Sequence, residues 1–293
     1  MNLLAQTKKI CETYGIKPAR SKGQNFLIKE EVYDKIVEAA EIKDTDTVLE
    51  VGPGLGFLTV KLAKSAGKLI TVELDDKLAT YVRTGIESGG FENVEVVNMN
   101  ILDFNPLNPP YQGDIVKGPL DKGGMGGYKI VANLPYNITS VFLRKFLGEA
   151  EVRPELMVLM LQKEVAKRIC AKPGDMSILA VSIQYYADAE IIDYVPKYDF
   201  FPRPEVDSAI IKIKSKKTRK QENKNFNERD FFRLVKIGFS AKRKMLKNNL
   251  SAGFRIPQNE AEEKIVKAGF NPKCRAEDLG VEDWMKLFPY FYN

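Results

Sequence analysis

Asn133-Leu134-Pro135-Tyr136 closes an apolar, strand-like run in a chain of 293 residues that contains no histidine. The missing imidazole removes the commonest general base, the commonest metal ligand and every Ser-His or Cys-His nucleophile. Three dispersed cysteines, Cys11, Cys170 and Cys274, form no CxxC pair, so neither a metal site nor a disulfide framework is expected. What these four residues can do is hold an aromatic amine. The side-chain oxygen of Asn133 and the main-chain carbonyl of Leu134 supply two acceptors for the two hydrogens of an exocyclic amine. Pro135 stiffens the turn and brings no competing N–H, and Tyr136 offers a ring to stack on the base. Engaging both hydrogens pyramidalises a nitrogen whose lone pair is otherwise delocalised into the ring. The same oxygens stabilise the positive charge that develops when it attacks an electrophilic carbon. The proton turns acidic only after transfer, so no strong base is needed. Read without chemistry, the tetrapeptide is an Asn-Pro turn ending a strand. A second ring is expected on the other face of the base, and the proline-braced segment YDFFPRPEVDSA offers Phe200 or Phe201.

The electrophile needs its own site. The strand-like TVLEV, Thr47 to Val51, runs into Gly52-Pro53-Gly54-Leu55-Gly56 and then a helical pattern, the place where a doubly wound sheet holds a nucleotide. The spacing is G-x-G-x-G, and no G-x-x-x-x-G-K-[ST] cradle is present, which points away from a pyrophosphate. Glu73 ends the next strand, where a carboxylate can accept both hydroxyls of a ribose. S-adenosylmethionine has that ribose and no phosphate; NAD is the competing ligand at this stage, and a tight turn beside an incidental glutamate is the plain structural alternative.

Elements that position these residues follow from periodicity. Helical spacing over Glu30 to Ile42, the strand TVLEV, helix GFLTVKLAKSAG, strand KLITVEL, helix DDKLATYVRTGIES and strand NVEVVNM give alternating helices and strands. After a Gly/Pro-rich stretch, Leu107 to Tyr128, come strand KIVAN, helix TSVFLRKFLGE, strand ELMVLML, helices KEVAKRICA and SILAVSIQYYA, and strands AEIIDYV and SAIIKI. This order implies an α/β fold, a mostly parallel sheet with ligands outside the carboxyl ends of its strands. KSKKTRKQENKN, 214–225, has no apolar residue and reads as a linker between a domain over 1–213 and a small helical domain over 226–293. No apolar run reaches the ~20 residues of a membrane span and the N-terminus carries no targeting pattern, so a soluble, cytoplasmic protein is expected.

Charge is uneven. The net +6 conceals 15 Lys/Arg against 3 Asp/Glu between Lys212 and Arg255, leaving the rest acidic. Within it FSAKRKMLKNNL is read as a helix carrying Lys242, Arg243, Lys244 and Lys247 toward closely spaced phosphates, with Arg20 and Lys22, beside Lys17, extending the patch. A solvated helix face is the alternative.

GQNFL, LEVGPGLGFLT, VELD, NLPYNI, LQKEVAKRI, FFPRPEVDSA and FSAKRKMLKNNL stand in an order and spacing that resembles the small-subunit (16S-type) ribosomal RNA adenine N6,N6-dimethyltransferases, over about Lys17 to Leu250. The resemblance implies a Rossmann-like class I methyltransferase domain with a small C-terminal helical domain that docks RNA. It also implies transfer of two methyls from S-adenosylmethionine to each of two adjacent adenines in a 3′-terminal hairpin of small-subunit rRNA during ribosome assembly. The implied partner is that rRNA or the assembling small subunit, and the chain is expected to act as a monomer. By the same resemblance Asn25 and Leu27 belong to an N-terminal segment, 1–29, that closes over the cofactor. Gly52 sits beside the cofactor's methionine end with Gly54 and Gly56 in the same loop, Glu73 holds the ribose, Asn133 to Tyr136 are the catalytic tetrapeptide, and Phe200 is the second stacking ring. Two features depart from the pattern. Asn100 stands where the family has an Asp that reads the cofactor's adenine amine, which implies a weaker contact, and the segment Leu107 to Tyr128 is longer than expected. Rival readings are a large-subunit rRNA adenine methyltransferase of the macrolide-resistance type, a DNA adenine methyltransferase, and a non-catalytic RNA-binding assembly factor; Leu134 and the AKRKMLKNNL segment favour the small-subunit branch over the first two.

Overall fold

A computed structural model describes residues 2–19, 23–105, 127–216 and 226–292. It divides into two compact units, Met1–Ala166 with Ala189–Ser215, and Lys167–Asp188 with Lys216–Asn293.

In the first unit the expected alternation is present. Helix α1 (Leu3–Thr13) is followed by β1 (Phe26–Leu27), α2 (Glu30–Ala39), β2 (Thr47–Val51), α3 (Phe57–Ala63), β3 (Lys68–Glu73), α4 (Asp76–Ser88) and β4 (Val94–Asn98). Then come β5 (Lys129–Asn133), α5 (Thr139–Leu143) running into a π-helical turn (Arg144–Glu149), β6 (Leu156–Gln162) and α6 (Lys163–Ile169). Helix α7 (Ile178–Tyr186), which belongs to the second unit, precedes β7 (Ala187–Val195), β8 (Phe200–Phe201) and β9 (Ser208–Ser215). Seven strands form one sheet in the order β4-β3-β2-β5-β6-β9-β7, with β2 to β6 parallel and β9 antiparallel to β6. Strands β5 and β6 are almost wholly buried, which is why IVA, 130–132, and LMVLML read as apolar runs instead of alternating ones. Each fully buried Leu or Met there contributes about 1.5–3 kcal/mol.

The strand order reverses between β2 and β5. Their register, Val51 opposite Ala132, brings the carboxyl ends of both strands side by side, and with them Gly52 and Asn133. A crevice opens at such a reversal because successive connections leave in opposite directions. Two elements had no counterpart in the sequence pattern. Helix α1, N-capped by Asn2, occupies part of the segment expected only to close over a cofactor. Strand β1 pairs antiparallel with β8, Phe26 opposite Phe201 and Leu27 opposite Phe200, tying the N-terminal segment to the proline-braced loop.

In the second unit, α8 (Glu228–Gly238), α9 (Leu246–Phe254), α10 (Gln258–Lys267) and α11 (Val281–Leu287) surround a fully buried Trp284. The division differs from the contiguous one expected from the sequence, because residues 167–188 group with the C-terminal helices. The physical reason is aromatic: Tyr185 of α7 stacks on Phe231 of α8, ring centroids 4.9 Å apart, and meets Phe232 edge-on at 5.1 Å. The expected linker also starts later, since Lys214 and Ser215 complete β9; 217–225 lie outside the described residues.

FSAKRKMLKNNL is not one helix. Helix α8 stops at Gly238, residues 239–244 form a turn, and α9 begins at Leu246. The buried Asn249 side chain holds the turn, its Nδ2 donating to the Gly238 carbonyl at 2.6 Å and the Ala241 carbonyl at 3.1 Å. Satisfying those carbonyls in place of a continued helix is what the sequence pattern concealed.

Candidate active site

The crevice at the strand reversal is lined by Gly23 to Leu27, by Gly52, Gly54 and their neighbours, by Glu50, Glu73, Leu74 and Asp75, by Met99 to Ile101, and by Asn133, Pro135, Asn137 and Ile138. Its floor is the loop after β2. Gly54 has φ +58°, and a Cβ added there would sit 3.3 Å from the Phe26 ring, so this position needs glycine both for its left-handed backbone and for the close approach of β1. The wall is the N-terminal segment. Gly23, with φ +65°, abuts Pro135, and the Asn25 carbonyl accepts from Asn133 Nδ2 at 3.3 Å. That bond commits the nitrogen end of the Asn133 amide and leaves Oδ1 as its acceptor end. The Leu27 carbonyl in turn accepts from the buried Tyr33 hydroxyl at 2.9 Å, fixing the segment from below.

Of the residues singled out in the sequence, Asn25, Leu27, Gly52, Gly54, Glu73, Asn100, Asn133 and Pro135 line this crevice together. Gly56 does not; it caps α3 with φ +77° and faces Val82 of α4, so its glycine serves the turn. Leu134 buries its side chain, and its N–H donates to the Met160 carbonyl at 3.0 Å, anchoring the tetrapeptide to β6. Tyr136 is half-buried beside the crevice with its hydroxyl 2.9 Å from Ser208 Oγ, and burial raises its pKa.

Phe200 requires a correction. Expected as the second stacking ring, it is 4% exposed and packs in the core with Leu27, Tyr33, Val195 and Ile210. Residues directly opposite in an antiparallel pair point to the same side, so pairing with Leu27 turns Phe200 inward and puts Phe201 on the other face beside Phe26. Phe201 keeps part of its surface, with Lys8 Nζ 5.4 Å from its ring centroid. Asn100 makes an Asx turn, its Oδ1 accepting from Leu102 N–H at 3.0 Å, while Asp103 is exposed and does not line the crevice.

Electrostatics distinguish the ligand class. Three carboxylates, Glu50, Glu73 and Asp75, line the crevice, and among the described lining residues there is no Lys or Arg. A pyrophosphate would meet uncompensated repulsion here, whereas a sulfonium and an ammonium meet opposite charge. Glu73 is 7% exposed, accepting from Asp75 N–H at 3.0 Å and Gly54 N–H at 3.3 Å. Burial raises its pKa while those two N–H groups pull it back. Glu50 was missed in the sequence. It is 1% exposed, neither oxygen completes a hydrogen bond among the described residues, and burial pushes its pKa up to about 7. The Thr59 and Thr71 hydroxyls ease its charge from nearby and Glu73 opposes it. The overlooked signal was an acid inside TVLEV, a run buried on both faces. Leu74, 58% exposed, with Met99 and Ile101, adds apolar walls of the kind a purine packs against.

The basic residues divide. Lys242, Arg243 and Lys244 are exposed on the turn after α8, while Lys247 is 2.7 Å from Glu262 and largely covered, so its charge is already matched and it does not join them. Arg20 and Lys22 lie outside the described residues. No helix among the described residues is long and apolar enough to cross a membrane.

A sequence model of the ribosomal RNA adenine dimethylases matches residues 16–293, extending past the Leu250 limit of the motifs. The chain belongs to that family. Membership makes it an S-adenosylmethionine-dependent rRNA adenine dimethyltransferase, and the acid-lined crevice at the end of β2 and β3 fits that donor. Curated relatives named ribosomal RNA small subunit methyltransferase A include one from Dehalococcoides mccartyi, 44% identical, covering 98% of this chain and 92% of the relative. Another, from Clostridioides difficile, is 38% identical over 96% of this chain and 93% of its own. Among solved structures, a dimethyladenosine transferase from Plasmodium falciparum superposes with TM-score 0.72 at 27% identity, covering 89% of this chain and 95% of that one. The 23S rRNA methyltransferase ErmE superposes with TM-score 0.71 at 27% identity, covering 92% and 100%. The two superpose on this chain about equally well.

Proposed function

We propose that this chain dimethylates the N6 amines of two adjacent adenines in a 3′-terminal hairpin of small-subunit rRNA during assembly of the small ribosomal subunit, in the cytoplasm and as a monomer. The observation that carries the reading is the acid-lined crevice at the β2/β5 reversal with the Asn133 carboxamide on its wall. The small-subunit choice is supported by sequence, since relatives named for that subunit reach 44% identity over nearly the whole chain while ErmE stands at 27%.

S-adenosylmethionine supplies an electrophilic methyl on a sulfonium. Glu73 accepts the ribose hydroxyls, Asn100 the adenine amine, and Gly52 and Gly54 let the backbone approach the methionine end, with Asn25 and Leu27 covering it. Asn133 Oδ1 and the Leu134 carbonyl accept the two hydrogens of the target N6. With that donor bound, the nitrogen lone pair would be directed at the methyl carbon, so that the N–C bond would form as the C–S bond breaks, S-adenosylhomocysteine would leave and the proton would pass to water. Pro135 holds the turn and Tyr136 covers one face of the base. Lys242, Arg243 and Lys244, with Arg20 and Lys22, contact phosphates without reading sequence.

The reading is tested by mass spectrometry of rRNA after incubating immature small subunits with the protein and S-adenosylmethionine. Two neighbouring dimethyladenosines near the 3′ end are expected. Modification of large-subunit rRNA alone overturns the substrate choice.

A further inference from the structure

Beside the crevice, the loop between β7 and β9 carries an aromatic-cation pair that the chemistry above does not use. Tyr198 is 62% exposed, and the Arg203 guanidinium lies 4.3 Å from its ring centroid, with Lys197 Nζ at 5.9 Å. A tyrosine left so open has no packing role, yet its backbone is firmly held. Lys197 N–H donates to Asp207 Oδ1 at 3.1 Å, Asp199 N–H to the Pro196 carbonyl at 3.0 Å, and Ile28 N–H to the Asp199 carbonyl at 2.8 Å. The loop is also tied to the site at two points: Phe200 pairs with Leu27, and Ser208 Oγ meets the Tyr136 hydroxyl at 2.9 Å. Asp207 pairs with Lys163 at 3.5 Å and Asp193 with Lys35.

We propose that Tyr198, its ring backed by Arg203, is a stacking platform for an unpaired nucleotide of the RNA next to the target adenine. A rigid ring under a guanidinium is the arrangement on which a base of any sequence stacks, with the cation serving the adjoining phosphate. The position fits because a base drawn out to Asn133 and Tyr136 leaves its neighbours unstacked, and Tyr198 lies two residues before Phe200 and ten before Ser208, the two points at which the chain is tied to the site. The inference rests on the proposed RNA substrate and adds the contact that holds the flanking nucleotide; the family motif FFPRPEVDSA begins two residues after Tyr198.

The test compares wild-type protein with Tyr198→Ala, Tyr198→Trp and Arg203→Ala. Binding of a fluorescent single-stranded oligoribonucleotide containing two adjacent adenines is read by anisotropy, and KM and kcat on immature small subunits by methyl incorporation. Tyr198→Ala is expected to weaken oligonucleotide binding about tenfold and raise KM similarly, at unchanged kcat, cofactor affinity and melting temperature, with Tyr198→Trp restoring both. Arg203→Ala is expected to weaken binding and flatten its salt dependence. Unchanged binding in Tyr198→Ala, or a lowered melting temperature with no recovery in Tyr198→Trp, overturns the platform. Tyr198-dependent RNA binding without methylation of any rRNA would overturn the proposed function and leave the platform standing.

Discussion

Glu50→Gln isolates the buried acid from everything around it, because the amide keeps the shape and removes only the ionisation. Burial pushes the Glu50 pKa from 4.5 to about 7. A carboxyl raised in the folded chain contributes its stability fully below the unfolded pKa and loses it as pH rises through the folded one. Between about pH 4 and 8 the ligand-free protein should lose roughly 3 kcal/mol through this one group, as the rise from 4.5 to about 7 implies at about 1.36 kcal/mol for each step of one in pH. Glutamine does not titrate, and it relieves Glu73 of a like charge, so the substitution should flatten the pH dependence by at least that order. The assay is urea unfolding of both proteins across this range without cofactor. Relative to wild type, Glu50→Gln is expected to gain about 3 kcal/mol on going from pH 4 to pH 8, other carboxylates being common to both. Parallel curves for the two proteins would refute the buried, unpartnered state of Glu50. The same variant should bind S-adenosylmethionine more weakly, since it removes one of the three acids that line the crevice.

Glu73→Ala should weaken S-adenosylmethionine binding by about 1.5–3 kcal/mol, or at least tenfold by calorimetry, with RNA affinity unchanged. Gly54→Ala forces a side chain into φ +58° and against Phe26; a loss of about 1–2 kcal/mol in urea unfolding is expected, together with weaker cofactor binding. Replacing Lys242, Arg243 and Lys244 together by Ala should lower RNA affinity and reduce the slope of log K against log salt by about 0.7 for each phosphate that is no longer neutralised. Lys247→Ala should leave that slope as it is, because Glu262 already matches its charge.

What could be read from the sequence was local. Strand β2, its glycine loop and Glu73 lie within one strand-helix-strand unit whose periodicities switch cleanly, and KIVAN runs straight into Asn133; the crevice was legible because its floor and its acceptor each sit at the end of a buried strand. The rest depended on pairings across long stretches of chain. Nothing near Phe26 announces a partner at Phe201, so neither the β1–β8 ladder nor the burial of Phe200 could be foreseen from the sequence. The basic segment kept helical spacing through the turn because Asn249, a residue with an ordinary place in a helix face, satisfies the carbonyls that end α8. Residues 167–188 looked like a continuation of the first domain since only the tertiary stacking of Tyr185 on Phe231 assigns them elsewhere.

The most direct measurement is methyl transfer by Asn133→Ala, with RNA affinity measured beside it. Loss of a single charge-stabilising partner at the transition state costs about 10²–10³ in kcat, and the neighbouring Leu134 carbonyl alone cannot engage both hydrogens. Methyl incorporation should therefore fall by at least that factor while the RNA is bound as before. Incorporation at the wild-type rate would mean that the amine is activated by some other group, and the carboxamide would lose the role given to it.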